Sequence, residues 1–439
     1  MATGSERQRR ARRSALLGLA LIAVVDRASA ADGPDSLRVR VELGANTDYT
    51  NELFYEDTFD STAFTGRHLV DSPETRYAGV LFTRLTGTRG RRTTGFELQN
   101  ELSLGDLLSR DELVFSLRSQ PTSRWTIFAL PQAEYRRDRT FGRDLEEWRA
   151  SAALRARRAL DDGATFAELG GRGDLLTASG SGAEYILDRT AGTVLAALER
   201  APLWGLQWRI DYAFTGRVFA DSTDRNHYEH TADGQMRFDG PGGRPLLIEA
   251  GADRRTTMAQ AVTSRDNFWQ ERGALDGEIG LGGAWSLKGR VDGAAIQYDV
   301  QDSTLYFDYQ ELVARLAPRW THGATSIALG PRLDALFAPL DPTESYQEIA
   351  GVGEFESIGL GAWWNVIPVA GWRDYDEPPP GAVGLHSSYS FLELNLLADQ
   401  SLPGALRMRL YVNGRLESHI DHAQDARSLY FSVDLRRLF

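Results

Sequence analysis

The sequence predicts an all-β fold: a transmembrane antiparallel up-and-down β-barrel of about 20 strands, with 18–22 strands compatible with the pattern. About twenty segments of roughly 10–16 residues have strand character, and several alternate apolar with polar residues. Short turns rich in Gly and Pro alternate with longer connections. The last strand is followed by no hairpin, so we expect it to pair with the first strand of a closed sheet.

Residues 1–30 are predicted to be a cleaved signal peptide. Arginines between positions 7 and 13 precede an apolar run over 15–25, and Ala28-Ser29-Ala30 provides a small-residue cleavage site. The apolar run is too short for a membrane-spanning helix, which needs about 20 residues. Residues 31–439 then form a single barrel domain. The sequence contains no cysteine, which excludes disulfides and thiolate metal sites.

The first predicted strand illustrates the alternation. It places four apolar residues on one face and three charged residues on the other: Leu37, Val39, Val41 and Leu43 against Arg38, Arg40 and Glu42. Soluble strands most often have about 5–6 residues, whereas a tilted strand needs about 9–11 residues to cross a bilayer. The length of the predicted segments therefore favours a membrane barrel. After residue 30 no apolar stretch approaches the length of a membrane helix.

The connections are of two kinds. One set is tight and contains Gly, Pro and small polar residues, as in 120–123, 161–163, 239–243 and 402–404. The other set is more variable, and its longest members are predicted at 48–75 and 376–386. Short periplasmic turns that alternate with longer outer loops are typical of outer-membrane barrels. With the N-terminus inside, residues 48–75 are predicted to be a long first external loop.

The closing strand carries a recognisable ending. Apolar residues recur at every second position and the chain stops on phenylalanine: Leu429, Phe431, Val433, Leu435 and Phe439. This ending resembles the C-terminal assembly signal of Gram-negative outer-membrane β-barrels, with Phe431, Val433, Leu435 and Phe439 in the signal positions. Arg437 departs from it, since an aromatic or apolar residue is more usual there. The chain thus resembles the porin-like outer-membrane barrels without matching a specific family.

That resemblance implies a location and partners. The location is the bacterial outer membrane, and the partners are outer-membrane lipid, lipopolysaccharide and the barrel-assembly machinery. The charge of the chain argues against nucleic-acid binding, which needs a basic surface. The whole chain has 49 Lys and Arg against 61 Asp and Glu; without the six arginines and two acids of residues 1–30, it has 43 against 59, a formal charge of −16.

Two sets of charged residues are candidates for a pore or loop constriction. The first predicted loop contributes an acidic set: Asp48, Glu52, Glu56, Asp57 and Asp60. Folded into the lumen, these carboxylates would narrow the pore and favour cations; outside it, they would bridge divalent ions to lipopolysaccharide phosphates or simply be solvated. The second set faces the predicted lumen and is mixed in sign: Arg209, Asp211, Arg407 and Arg409. It is interpreted first as a structural ion-pair network and second as a substrate track.

No cofactor, metal or enzymatic activity is predicted. His419, Asp421 and His422 in the last external hairpin, with His68 near by, are only weak candidates for metal ligands. The sequence contains no G-x-S-x-G motif. Hydroxyl and imidazole groups that are adjacent in a strand, such as Ser418 and His419, point to opposite faces and form no dyad.

The leading functional hypothesis is a passive channel for small polar solutes or ions, with a preference for cations. A barrel of this size is too wide to fill its lumen with side chains. The first alternative is a non-transporting surface or assembly barrel, with an unspecific resemblance to the surface-lipoprotein assembly modifiers. The second alternative is a soluble periplasmic β-protein. Nothing in the sequence indicates the oligomeric state.

Overall fold

The computed structural model describes residues 36–439 with gaps at 61–62, 90–93, 140–143, 161–162, 182–185, 187, 204, 240–243, 259–266, 302–305, 341, 360 and 377–385. Side chains of residues 54–68 are also outside the description. The predicted signal peptide, residues 1–30, therefore lies outside the described residues. Within the described part, no helix is both long and apolar enough to cross a membrane.

Twenty strands make up the fold. Their bounds are β1 Ser36–Asp60, β2 Ala63–Arg89, β3 Thr94–Gly105, β4 Leu108–Ser119, β5 Trp125–Asp138, β6 Asp144–Ala159, β7 Thr165–Ser181, β8 Arg189–Leu203, β9 Leu206–Phe219, β10 His227–Asp239, β11 Pro245–Thr257, β12 Phe268–Gly282, β13 Trp285–Tyr298, β14 Tyr309–His322, β15 Thr325–Phe337, β16 Tyr346–Gly359, β17 Ala362–Tyr375, β18 Tyr389–Leu402, β19 Leu406–His419 and β20 Ala426–Leu438. Single-turn 3-10 helices occur at Thr223–Arg225, Pro342–Glu344 and His422–Gln424.

The sheet is a closed antiparallel barrel. Each strand pairs with the next one in sequence, and β20 pairs with β1 from Glu42↔Leu438 to Leu53↔Arg427. The predicted strand number, meander and closure are therefore confirmed. Strands about 4.8 Å apart and tilted about 40° give twenty strands a backbone diameter of roughly 40 Å for a circular section. We call the end at which β1 begins and β20 ends the terminal end, and the opposite end the loop end.

The predicted long first loop is wrong. Residues 48–75 are not irregular but form most of a β-hairpin, because β1 continues to Asp60 and β2 starts at Ala63. The two strands stay paired along this length, with Asp57 opposite Arg67 and Phe59 opposite Phe64. A ribbon above the membrane tolerates polar residues on both faces, so its composition looks like that of a loop. Neighbouring strands pair with the hairpin only as far as Leu53 in β1 and Ala78 in β2.

Ion pairs between distant strands identify the lumenal face. Arg436 on β20 lies 3.0 Å from Glu101 on β3, although two strands stand between them. Lys288 on β13 similarly reaches Glu354 on β16 at 3.2 Å. Side chains three strands apart can meet only on the concave face of a barrel. The polar face predicted from the alternation is therefore the lumenal one.

The outward face is apolar and carries aromatic residues near both ends. Large side chains remain exposed there, for example Leu169 at 63% and Leu329 at 67%. Trp148, Trp269 and Trp372 lie toward the loop end, and Trp125 and Trp285 lie toward the terminal end. An apolar band between two aromatic girdles is typical of membrane barrels.

Two other aromatic residues near strand ends belong to the lumen instead. Trp363 is adjacent to Trp364 and points inward, where its indole N–H donates to Glu356 Oε1 at 3.2 Å. Tyr375 packs against the inward cluster of buried residues on β16–β18. A position near a strand end does not by itself place an aromatic residue in a girdle, because the period of two decides on which face it lies.

Candidate functional site: the barrel lumen

The acidic set of the predicted first loop is divided by the structure. Asp48 lies at the mouth of the barrel, where its Oδ1 accepts a hydrogen bond from the Tyr430 hydroxyl at 3.1 Å. Glu52 is opposite Ser428 in the β1–β20 pair and lines a small cavity with Arg415. Glu56, Asp57 and Asp60 lie in the part of the hairpin whose side chains are outside the description. The barrel itself thus places Asp48 and Glu52 at its loop end.

The mixed-charge set lines two other parts of the wall. Arg209 on β9 donates to Asp211 at 2.6 Å and to Glu199 on β8 at 3.1 Å. Arg407 and Arg409, at the terminal end of β19, both contact Asp399 on β18, at 2.6 and 3.1 Å. Because β9 and β19 are ten strands apart in a ring of twenty, these groups face each other across the lumen. The structure does not bring the predicted residues together as one constriction ring.

The register reveals a row of like charges that sequence reasoning missed. Glu112 on β4 stands directly opposite Glu101 on β3 and Glu134 on β5. Like charges in such positions are destabilising unless opposite charges lie close by. Arg110 supplies one such charge, at 2.6 Å from Glu134 and 3.0 Å from Glu112, and Arg436 pairs with Glu101.

An arginine row lies on the opposite wall, ten strands away. Its members stand directly opposite one another on β13, β14 and β15: Arg290, Arg315 and Arg332. Carboxylates from neighbouring positions neutralise them, as in Arg315 with Glu354 at 3.2 Å and Arg332 with Glu348 at 2.8 Å. The sequence places each residue on the lumenal face, but only the register of neighbouring strands shows the rows.

One lumenal wall is unusually well packed. We call the inward-facing residues of β15–β18 the packed wall. Its centre is Glu348, which is 1% exposed and accepts from Arg332 and Arg373, each at 2.8 Å. The Arg373 guanidinium lies 3.9 Å from the centre of the Tyr346 ring. A buried apolar cluster continues below: Ala350, Val352, Val369, Tyr389 and Phe391. Side chains here stabilise one another rather than face open lumen.

The weak metal candidates do not converge. His419 Nε2 lies 3.4 Å from Glu417, while His422 Nδ1 lies 3.3 Å from Asp425. Asp421 accepts a hydrogen bond from the backbone of Ala423 at the start of a 3-10 turn. Among the residues that the structure describes, no group of three or more His, Asp or Glu is placed to hold a metal ion. The side chain of His68 is outside the description.

The structure does join a serine in the β17–β18 connection to a histidine at the end of β19. Ser387 Oγ lies 3.0 Å from His419 Nδ1, a contact between residues that are far apart in sequence. The Ser387 hydroxyl donates to Gln424 Oε1 at 2.9 Å, so its proton is directed away from the imidazole. The His419 ring packs against Tyr389, with ring centres 4.5 Å apart. Ser387 thereby fastens the β17–β18 connection to the end of β19 through His419 and to the β19–β20 connection through Gln424.

Comparison with known proteins places this fold. The sequence matches no family model and no curated protein. Among solved structures, the copper transporter OprC aligns with a TM-score of 0.56 and 10% identity, over 91% of this chain and 80% of that one. The siderophore receptor PirA aligns with a TM-score of 0.52 in two cases. The Pseudomonas aeruginosa protein is 10% identical over 91% of this chain and 80% of that one, and the Acinetobacter baumannii protein is 8% identical over 90% and 80%. Identities this low establish the fold alone.

This chain is a transmembrane β-barrel with the fold of these outer-membrane proteins. The fold, the exposed apolar band and the two aromatic girdles together require a membrane around the barrel. They also remove the soluble periplasmic alternative, because an outward face of exposed leucines and tryptophans on all sides would be unstable in water. The β-barrel therefore presents its chemistry in two places: the lumen and the connections at its loop end.

Proposed function

We propose that this outer-membrane β-barrel is a passive channel for small polar solutes and ions, with a preference for cations. The observation that carries the proposal is the exposure of charged side chains on the lumenal face. Arg149, Arg272 and Arg290 lie in the membrane-spanning part of the barrel and keep 52%, 45% and 53% of their side chains exposed. A lumen filled by packed side chains would bury them.

The width of the barrel supports the same conclusion. Side chains from opposite walls do not meet across roughly 40 Å, and barrels somewhat narrower than this already enclose aqueous channels. The solved structures with a similar fold include one named as a copper transporter and two named as siderophore receptors. Those names support a role in transport for this barrel, and diffusion through it needs no cofactor.

The preference for cations is inferred from charge. Residues 31–439 carry a formal charge of −16. Asp48 lies at the barrel mouth, and Glu52 lines a small cavity near the same end. Rings and patches of carboxylates raise the local cation concentration and exclude anions.

Single-channel recording tests the proposal. Purified protein in a planar bilayer, with a tenfold KCl gradient, is expected to give discrete current steps and a reversal potential of the sign set by K⁺. Replacing two mouth carboxylates, in Asp48→Asn/Glu52→Gln, is expected to move the reversal potential toward zero. Closed traces from protein that shows heat-modifiable migration on a gel would contradict a channel.

A surface-binding or assembly role is the second candidate, and the β1–β2 hairpin favours it. The hairpin extends past its neighbours after Leu53 in β1 and before Ala78 in β2, and a two-stranded ribbon alone is only marginally stable in water. Lipopolysaccharide or an exported surface protein would be its partner. Closed traces, together with retention of lipopolysaccharide by the intact protein, would favour this role over the channel.

A further inference from the structure

A recess in the lumenal wall between β10 and β14 is lined by charged side chains that the proposed channel function does not yet use. It has a volume of about 510 Å³, within the usual range for small-molecule sites. Its polar lining comes from charged residues on five neighbouring strands, among them Asp233, Glu249, Arg272, Arg290 and Glu311. We call these five strands, on their lumenal side, the recess wall.

Small residues create the recess. On the cross-strand row that runs from Asp233 to Glu311, the intervening positions are Gly251, Arg272 and Ala294. On the next row, Ala274 stands between Glu249 and Asp292. Side chains that end at Cβ leave space between the long charged ones, and this space opens to the lumen.

The two arginines of the recess are already paired. Arg272 contacts Asp233 at 2.6 Å and also contacts Asp253. Arg290 contacts Asp292 at 2.7 Å. Their positive charges are therefore neutralised inside the recess wall and leave no surplus for an anionic solute.

Two carboxylates of the recess form no direct ion pair. Among the described residues, none places a cationic nitrogen within 4 Å of Glu249 or Glu311; Glu249 accepts only a hydrogen bond from Gln235 at 3.3 Å. These two glutamates stand on β11 and β14, three strands apart, which corresponds to roughly 14 Å across the sheet. They mark the two ends of a recess with a surplus of negative charge.

We propose that the recess is a binding subsite for elongated organic amines that carry an ammonium group at each end. One ammonium group pairs with Glu249 and the other with Glu311, while the chain between them lies over Ala274 and Ala294. Two linked ion pairs hold a dication more tightly than a monocation, because the second contact forms within the complex. This inference rests on the proposed channel function, since it names the solutes that the lumen selects.

Block of the channel by spermidine tests the subsite. In planar bilayers at low salt, spermidine is expected to reduce the current through the wild-type channel at a lower concentration than ethylamine does. In Glu249→Gln/Glu311→Gln, the half-blocking concentration of spermidine should rise about tenfold, since each partly exposed ion pair contributes modestly. Both changes are isosteric and remove carboxylates that have no ion pair in the described structure, so the barrel should fold.

The matched control removes the same charge from the opposite wall. Glu112→Gln/Glu134→Gln takes away two carboxylates that share Arg110, and its half-blocking concentration should stay within about twofold of wild type. Equal block in the wild type and the Glu249/Glu311 variant would overturn the subsite while leaving the channel intact. If the wild type gives no current, calorimetric titration of the solubilised protein with spermidine decides: heat that is lost in the variant supports the subsite, and no heat in the wild type overturns it.

Discussion

The packed wall and the recess wall have the same strand geometry and the same apolar outward face, yet their lumenal surfaces differ in kind. In the packed wall, charged residues alternate with large side chains such as Tyr346, Val352 and Phe391, and Glu348 is 1% exposed. In the recess wall, charged residues alternate with alanine and glycine, and Arg290 is half exposed.

This difference shows how one part of a barrel wall can contribute stability and another can stay open to solutes while the backbone geometry is the same. Where inward positions between charges hold aromatic or branched residues, ion pairs are shielded from lumenal water and interact strongly. Where those positions hold small residues, the same ion pairs are solvated and contribute little. The residues between the charges therefore decide whether a stretch of wall is structural or open to solutes.

The largest expected change in unfolding free energy comes from removing the buried carboxylate of the packed wall. Glu348→Ala removes the closer of the two carboxylates that Arg332 and Arg373 share and leaves both arginines with Asp334, at 3.4 and 3.7 Å. We expect a loss of about 3 kcal/mol of unfolding free energy, because two largely shielded arginines then share one carboxylate and one positive charge is left uncompensated. Urea unfolding of the barrel in lipid vesicles, followed by tryptophan fluorescence, measures it.

The recess wall provides the matched control. Glu249→Ala also removes a glutamate carboxylate, but from a surface that is open to lumenal water. It should change the unfolding free energy by no more than about 0.5 kcal/mol. Equal losses for the two substitutions would show that lumenal water reaches both walls alike, and the distinction between them would be lost.

The alternation of the sequence predicted much of this architecture. It identified the number of strands, the closure between the first and last strands, and the lumenal position of Arg209 and Arg407, because a period of two has only one physical reading in a membrane. The loop predicted at 48–75 was wrong, since polar residues on both faces of a ribbon give no alternation to detect.

The recess and the charge rows could not be predicted in the same way. They depend on which residues of neighbouring strands stand opposite each other, and a shift of one residue would change every pair. Ala274, for example, is an ordinary small residue in its own strand and becomes part of a recess only beside Glu249 and Asp292.

Replacing an alanine by tryptophan should destabilise the packed wall more than the recess wall. Ala350→Trp in the packed wall is expected to cost about 1–3 kcal/mol of unfolding free energy, because Ala350 is already buried among its neighbours. Ala294→Trp in the recess wall should cost less than about 1 kcal/mol, because the lumen accepts the ring.

Channel conductance provides a second measurement on the same two tryptophan substitutions. The Ala294→Trp channel should lose its response to spermidine, while any folded fraction of Ala350→Trp should retain it. A recess that tolerates the indole and still responds to spermidine like wild type would place amine binding elsewhere in the lumen.

The smallest expected change in local stability concerns an ion pair at the loop end of the barrel, outside the recess wall. Arg254 on β11 donates to both oxygens of Asp299, which follows β13, at 2.7 and 2.6 Å. Hydrogen bonding by this guanidinium lowers the pKa of Asp299 below its ordinary value, despite the opposing effect of partial burial. Its stabilising contribution is therefore present above the unfolded-state pKa, about 3.9, and disappears as the pH falls through the lowered folded-state pKa.

Amide exchange at this connection should follow that titration. The Asp299 N–H donates to the Asn267 carbonyl at 3.0 Å, so it reports on local opening beside the recess. In Asp299→Asn we expect its protection factor to fall about threefold at pH 6, the size of a partly exposed ion pair. Below the lowered folded-state pKa of Asp299, where the wild-type carboxyl is protonated, the two proteins should exchange alike. A difference that persists unchanged as the pH falls through that pKa would mean that hydrogen-bond geometry, and not charge, holds β11 to the residue after β13.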